Sequence, residues 1–203
     1  MTDVVAILLA AGESTRMGRP KALLPWGGRA LVEWQVEQLK LAGCGRVIVV
    51  TGHRASEIEP LARSAGAEVV LNAAYRSGRA SSLRTGADAV EEAGAVVVLN
   101  VDQPRPAWVT RRLVDAWRLR KAPVVVPDHG GRLGHPVLLD GSLLPDLRSV
   151  REETLGLREI IERMRAETEP VAFDNRVVIV DLNTPEDYEN ALAEFYRGAW
   201  EET

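Results

Sequence analysis

Gly12, Ser14, Thr15, Arg16, Gly18, Arg19 and Lys21 crowd into one short stretch, directly after the apolar run Val4 to Leu9 and the small residues Ala10 and Ala11. Where a glycine-rich loop leaves a strand, backbone N–H groups approach an anion with no Cβ in the way, and nearby cations neutralise it. The chemistry such a loop serves is the holding of phosphates. Spacing excludes two familiar nucleotide loops. The P-loop needs G-x-x-x-x-G-K-S/T, whereas here five residues separate Gly12 from Gly18, and Lys21 stands three after Gly18 with Ala22 next. The dinucleotide fingerprint G-x-G-x-x-G is absent as well.

Two acids stand at comparable places further on. Asp102 follows Val96 to Val101 in Asn-Val-Asp-Gln-Pro, and Asp181 follows Val177 to Val180 in Asp-Leu-Asn-Thr-Pro-Glu-Asp. Ligands of open α/β sheets bind beyond the carboxyl ends of the strands, and Mg²⁺ takes one or two carboxylates together with phosphate oxygens and water. A basic loop beside two strand-end acids therefore has the makings of a Mg·NTP site. Asp102 is equally suited to start a turn before Gln-Pro, and Asp181 to end a strand ahead of a helix cap.

These residues need a scaffold, and the hydrophobic pattern supplies one. Apolar strand-like runs at Val4–Leu9, Arg46–Thr51, Glu68–Leu71, Ala95–Val101 and Pro123–Pro127 alternate with helical patterns at Ala30–Ala42, Ser56–Ala65, Ser81–Ala93 and Thr110–Arg120. Such alternation predicts α/β architecture: a three-layer, doubly wound, mostly parallel sheet covered on both faces. After Pro127 the pattern changes. Pro136–Leu139 and a hairpin of Val171–Phe173 with Val177–Val180 around Asp174-Asn175 are expected to form a small accessory β element. Thr184, Pro185 and Asp187 predict a capped C-terminal helix.

At 203 residues, one full core and a single domain over 1–203 are expected. The net charge of -4 offers no basic footprint for nucleic acid. Cys44 is the only cysteine, which excludes an intramolecular disulfide and a cysteine metal cluster. No apolar run approaches the roughly 18 residues of a membrane span, and Asp3 stands where a signal peptide would be positive. A soluble, cytoplasmic protein with no membrane partner is expected.

Leu8-Leu-Ala-Ala-Gly-Glu-Ser-Thr-Arg-Met-Gly-Arg-Pro-Lys21 resembles the signature of MobA-like NTP transferases, and the likeness runs in order from Leu8 to Tyr188. The resemblance implies a Rossmann-like nucleotidyltransferase fold. It implies that the loop, through Leu9, Ala10, Ala11, Gly12 and Ser14, wraps an NTP whose phosphates meet Arg16 and Lys21. Asp102 is then a metal ligand, and a side chain of Asp181-Leu-Asn-Thr-Pro-Glu-Asp187 completes the Mg²⁺ site. Asp181 is preferred to Asn183 there because a carboxylate is the stronger hard ligand.

The segment from Asn72 to Gly86, with Gly78, Ser81 and Ser82, resembles the G-x-x-x-S-L-R-x-G element of the molybdenum cofactor cytidylyltransferase branch. Gly78 lets backbone approach a base; Ser81 and Ser82 either cap a helix or bond the ligand, so Asn72, Gly78 and Ser82 join the nucleotide-binding set. Leu-Ala-Ala-Gly in place of the guanylyltransferase Leu-Ala-Gly-Gly points to CTP, since the Ala11 methyl narrows the space beside the base. Gly134-His-Pro-Val-Leu resembles the branch's acceptor element, which makes Arg132 and His135 acceptor candidates, although both also suit structural roles. The branch's Gly-Asp-x-Gly-Ala-Arg is reduced here to Gly156 and Arg158 within Glu153–Arg158.

The expected activity is Mg²⁺-dependent transfer of CMP from CTP to molybdopterin with release of pyrophosphate, and a molybdoenzyme or its chaperone would receive the product. The alternatives are another NTP, a sugar phosphate or other phosphorylated acceptor, or a nucleotide-binding chaperone without turnover.

Overall fold

The computed structural model describes residues 4–152 and 156–202; Asp3 and Glu153 to Leu155 lie outside them. β1 (Val4–Ala10) leads through the glycine-rich loop and a ribbon of β2 (Pro25–Trp26) and β3 (Arg29–Ala30) into α1 (Leu31–Leu41). There follow β4 (Arg46–Thr51), α2 (Ala55–Ser64), β5 (Glu68–Leu71), α3 (Arg79–Asp88), β6 (Ala95–Asn100), α4 (Ala107–Arg120) and β7 (Val124–His129). The chain continues through β8 (Arg132–Leu133), β9 (Val137–Asp140), α5 (Leu144–Ser149), α6 (Leu157–Arg163), β10 (Thr168–Ala172) and α7 (Pro185–Tyr196). The main sheet runs β10-β7-β9-β6-β1-β4-β5, with β8 paired to β7.

β1 is buried along its whole length and divides its side chains between two cores. Val4, Ala6, Leu8 and Ala10 face α1, α2, α4 and α7; Val5, Ile7 and Leu9 face α3, α5 and α6. A strand covered on both faces has no polar side to show, which is why its sequence reads as an unbroken apolar run. β4 and β6 flank β1 in parallel, so the chain winds one way to β4 and β5 and the other way to β6. The carboxyl ends of β1 and β6 are thus the switch point at which α/β sheets bind ligands.

The expected three-layer, mostly parallel sheet is found, with differences after Pro127. β9 is no accessory strand: it lies inside the main sheet, antiparallel to both β6 and β7. Val137, Leu138 and Leu139 are buried and feed both cores, which demands an interior position. Residues Arg176–Ile179 form a 3₁₀ turn and not the second arm of a hairpin, while β10 pairs in parallel with β7 at the sheet edge. The 3₁₀ turn is fixed by the Asn175 side chain, which accepts from Val177 N–H. α3 starts at Arg79, two residues before Ser81, and ends at Asp88, short of Ala93.

Gly86 brings α3 down onto the sheet. A Cβ there would stand 2.5 Å from Ile7 Cγ2 and 3.0 Å from Val50 Cγ2. Overpacking of this kind costs about 1–3 kcal/mol, partly offset by the roughly 1 kcal/mol helix preference of Ala over Gly. Gly86→Ala is expected to destabilise the protein by about 1 kcal/mol, and by no more than about 2, in urea unfolding; a stabilised variant would contradict this packing.

Candidate active site

A cleft of about 360 Å³ opens where β1 and β6 end. Leu9, Ala10, Ala11, Gly12, Ser14, Arg16 and Lys21 line it from the loop after β1, and Asp102 from the turn after β6. Gly78, Arg79 and Ser82 at the start of α3, with Tyr75 before it, close another side. Ser14 (φ 54°) and Gly18 (φ 67°) take left-handed conformations, which wrap the loop into a tight 3₁₀ turn over Thr15–Met17. Met17 is buried and anchors that turn. Ser14 Oγ accepts the Lys21 backbone N–H at 3.2 Å, tying both ends of the loop together.

Lys21 Nζ donates to Asp102 Oδ2 at 2.7 Å, with the two side chains 11% and 23% exposed. Arg16 Nη2 lies 3.5 Å from Asn183 Oδ1. The two loop cations expected to meet phosphate therefore rest on two oxygen donors of the same wall. Leu182 N–H donates to the Asp102 carbonyl at 2.8 Å, which docks the segment before α7 against the turn after β6. The capping box of Thr184 and Asp187 fixes the start of α7 immediately beyond.

Asp181 and Asn183 separate at this point. Asn183 lines the cleft beside Asp102. Asp181 sits on a neighbouring polar groove with Arg132, and its Oδ1 accepts from Gln103 Nε2 at 2.9 Å. Arg105 Nη2 stands 3.8 Å from the same oxygen. The Arg105 guanidinium is wholly buried, bonded to the carbonyls of Pro104, His135, Val178 and Val180. Burial lowers its pKa to about 10, against the pull of Asp181 and Asp102, so it stays charged at neutral pH. Gln103 and Arg105 lay outside the motif positions and were not singled out by sequence; the Gln-Pro-Arg run after Asp102 was their only mark.

Asn72 stands behind the cleft wall. Its amide donates to Ser81 Oγ at 2.8 Å and Ser82 Oγ at 2.9 Å, and its carbonyl oxygen accepts Ala74 N–H. Of the two roles open to Ser81 and Ser82, capping is taken by Glu152, whose carboxylate accepts Ala80 N–H at 2.7 Å. Gly78 is needed for this, because a Cβ there would fall 2.4 Å from the Glu152 carboxyl carbon.

A second cavity, about 580 Å³, adjoins the cleft and shares Leu9, Arg79 and Asn100 with it. Leu83, Val98, Val126, Val137, Leu157 and Ile161 make it largely apolar, and His135, Arg79, Arg158, Glu152 and Glu162 bring polar heads of both signs to it. His135 Nδ1 is buried with no hydrogen-bond partner. Burial first, then the charges of Arg105 and Arg79, push the imidazole down to about 4 against a weak opposing pull from Asp102. His135 is thus neutral at pH 7. Of the two acceptor candidates, His135 faces this cavity and Arg132 does not. Arg79, the residue after Gly78, was missed by sequence reading and reaches both spaces.

Among the described residues, no three His, Cys, Asp or Glu side chains gather into a metal cluster, and no helix is long and apolar enough to cross a membrane. The oxygens of Asp102 and Asn183 do suit a hard divalent cation, which completes its coordination with phosphate and water.

A family model for the MobA-like NTP transferase domain matches residues 6–171. The molybdenum cofactor cytidylyltransferase of Escherichia coli K12 is 28% identical over 93% of this chain and 95% of its own length. A molybdenum cofactor guanylyltransferase of Xanthomonas euvesicatoria is 32% identical over 93% and 94%. The nicotine blue oxidoreductase of Paenarthrobacter nicotinovorans is 34% identical over 79% and 82%. Among solved structures, a nucleotidyl transferase of Methanothermobacter thermautotroptrophicus superposes with a TM-score of 0.82 at 25% identity, covering 96% of this chain and 98% of that one.

Proposed function

We propose that this chain, which belongs to the MobA-like NTP transferase family and is a nucleotidyltransferase, transfers CMP from CTP to the phosphate of molybdopterin with release of pyrophosphate. The observation that carries the reading is the junction of two spaces at Leu9, Arg79 and Asn100: a smaller cleft under the glycine-rich loop, lined by Arg16, Lys21 and Asp102, and a larger, more apolar cavity beside it. The first suits a triphosphate and the second a ring-bearing acceptor.

The reaction is an in-line displacement at the α-phosphorus, in which positioning and charge neutralisation carry most of the catalysis. Arg16 and Lys21 leave Asn183 and Asp102 to bind the β- and γ-phosphates. Backbone N–H groups of the loop hold the same oxygens. Asp102 and Asn183 are the residues that would hold Mg²⁺, which when bound neutralises the triphosphate and the charge growing on the leaving pyrophosphate. Arg79 stands where both substrates meet and brings the acceptor phosphate toward the α-phosphorus. His135, neutral and lining this cavity, offers an imidazole hydrogen bond to the polar edge of a ring. Arg158 adds a cation for the acceptor's phosphate.

Ala11 supports a pyrimidine. It lines the cleft with Tyr75, and both pack over Gly52, where a Cβ would come within 2.9 Å of Ala11 Cβ and 2.7 Å of Tyr75 Cβ. The wall has little room to retreat before a purine.

A thermal-shift series with Mg²⁺ tests the nucleotide, because a ligand that binds only the folded state stabilises by about 2.7 kcal/mol at a hundred times its dissociation constant. CTP is expected to give the largest shift. A larger shift with GTP would move the reading to guanylyl transfer, and a shift with NADPH alone would favour redox chemistry like that named for the Paenarthrobacter relative. Pyrophosphate release with molybdopterin, and none with sugar phosphates, tests the acceptor.

A further inference from the structure

We propose that Lys21 makes metal binding conditional on the nucleotide, so that the cleft takes a divalent cation together with a triphosphate and rejects the cation alone. The proposal rests on the metal-dependent reading of the cleft and adds to it a selectivity that Lys21 imposes. Its basis is the pairing seen without ligand. Lys21 Nζ is 2.7 Å from Asp102 Oδ2, and Arg16 Nη2 is 3.5 Å from Asn183 Oδ1. Each oxygen donor that suits the metal is met by a cation of the phosphate loop.

Charge decides what can displace them. A divalent cation approaching Asp102 meets an ammonium already in contact with the carboxylate, and the pair is largely withdrawn from solvent, so the repulsion is weakly screened. The bare cation brings no anion to which Lys21 can turn. Neighbouring acids are engaged elsewhere: Glu13 pairs with Arg76 at 3.1 Å, and Asp181 accepts from Gln103. A triphosphate brings several negative charges into the loop and gives the ammonium a better partner than one carboxylate.

The local structure lets the side chain move while the backbone stays. Lys21 N–H is held by Ser14 Oγ, Leu24 N–H donates to the Lys21 carbonyl, and Ala22 is buried. Only the four-carbon stem has to swing from carboxylate to phosphate. Because coupling between two ligands is reciprocal, nucleotide strengthens metal binding by the same factor by which metal strengthens nucleotide binding.

The test measures Mn²⁺ alone, by loss of the free-ion electron paramagnetic resonance signal, on the full chain without nucleotide or acceptor. Two neutral variants, Lys21→Met and Lys21→Gln, are expected to bind Mn²⁺ about tenfold tighter than the unaltered protein. Lys21→Arg, which keeps the charge, is expected to bind it as weakly as the unaltered protein. Adding Asp102→Asn to Lys21→Met is expected to abolish the gain, and CTP is expected to tighten Mn²⁺ binding less in Lys21→Met than in the unaltered protein. Unchanged Mn²⁺ affinity in folded neutral variants would overturn the proposal, as would a gain that survives Asp102→Asn. Absence of pyrophosphate release with any acceptor would remove the transfer reading and leave this result standing.

Discussion

Replacing Asp102 with alanine is expected to lower turnover about a thousandfold or more and to leave the protein folded. Three orders of magnitude correspond to about 4 kcal/mol of transition-state stabilisation, an ordinary size for the loss of charge neutralisation at a phosphoryl centre. The structural cost is small by comparison. Asp102 sits in a turn after β6, and its removal leaves the largely buried Lys21 ammonium without its partner, a cost of about 1–2 kcal/mol between that of a surface and a buried pair. Asn183→Ala is expected to follow Asp102→Ala in direction, because Asn183 shares the cleft wall. Asp181→Asn is expected to divide the other way. It keeps an oxygen for Gln103 but takes a counter-charge from the buried Arg105, so stability falls by about 1 kcal/mol while turnover changes little. Steady-state turnover and urea midpoints for the three variants distinguish these outcomes; turnover collapsing in Asp181→Asn and surviving in Asn183→Ala would reverse the assignment of the second oxygen.

That reversal would restore the preference drawn from sequence, and the reason it arises is instructive. Side-chain chemistry favours a carboxylate over an amide as a hard ligand, and Asp181 and Asn183 are two residues apart. Which of them meets the cleft depends on Gln103 and Arg105, seventy-odd residues earlier, whose contacts hold Asp181 at a neighbouring groove. The same distance hides the start of α3. Ser81 and Ser82 look like caps, but Glu152 supplies the anion at Ala80 N–H from across the fold.

The place of the glycine-rich loop at the cleft was legible because its determinants are local. A buried strand, Gly12, Gly18 and three cations fall within a single stretch, and strand end plus loop conformation place them together. β1, β4 and β6 were legible for a similar reason: burial on both faces leaves an unbroken apolar run. β9 has such a run as well, but its four residues are too short to say whether they join the main sheet or a separate one. Only pairing with β6 and β7, set by the reversal at Gly130 and Gly131 (φ 60° and 85°), places it.

Acid is expected to destabilise the fold through His135. Burial, reinforced by Arg105 and Arg79, holds its imidazole at about 4, below the ordinary 6.5. The unfolded chain therefore takes up a proton that the folded chain refuses. The stability that His135 contributes as a neutral group is fully present above pH 6.5 and drains away as pH falls toward 4, where the folded state begins to protonate too. The whole step is worth about 3 kcal/mol. His135→Phe keeps a ring in the wall and removes the proton site. Urea unfolding of both proteins from pH 7 to pH 4 isolates the effect, because carboxylate contributions cancel in the difference. The unaltered protein is expected to lose about 3 kcal/mol more than the variant over that window; parallel profiles would show that the imidazole is not held neutral. The same neutrality bears on the acceptor. In the proposed transfer, an uncharged imidazole is a poor counter-ion for the acceptor's phosphate at pH 7, which would leave that phosphate to Arg79 and Arg158 and give His135 the recognition of a ring through a hydrogen bond. Loss of that bond in His135→Phe is expected to raise the acceptor KM about tenfold and leave the KM for CTP unchanged.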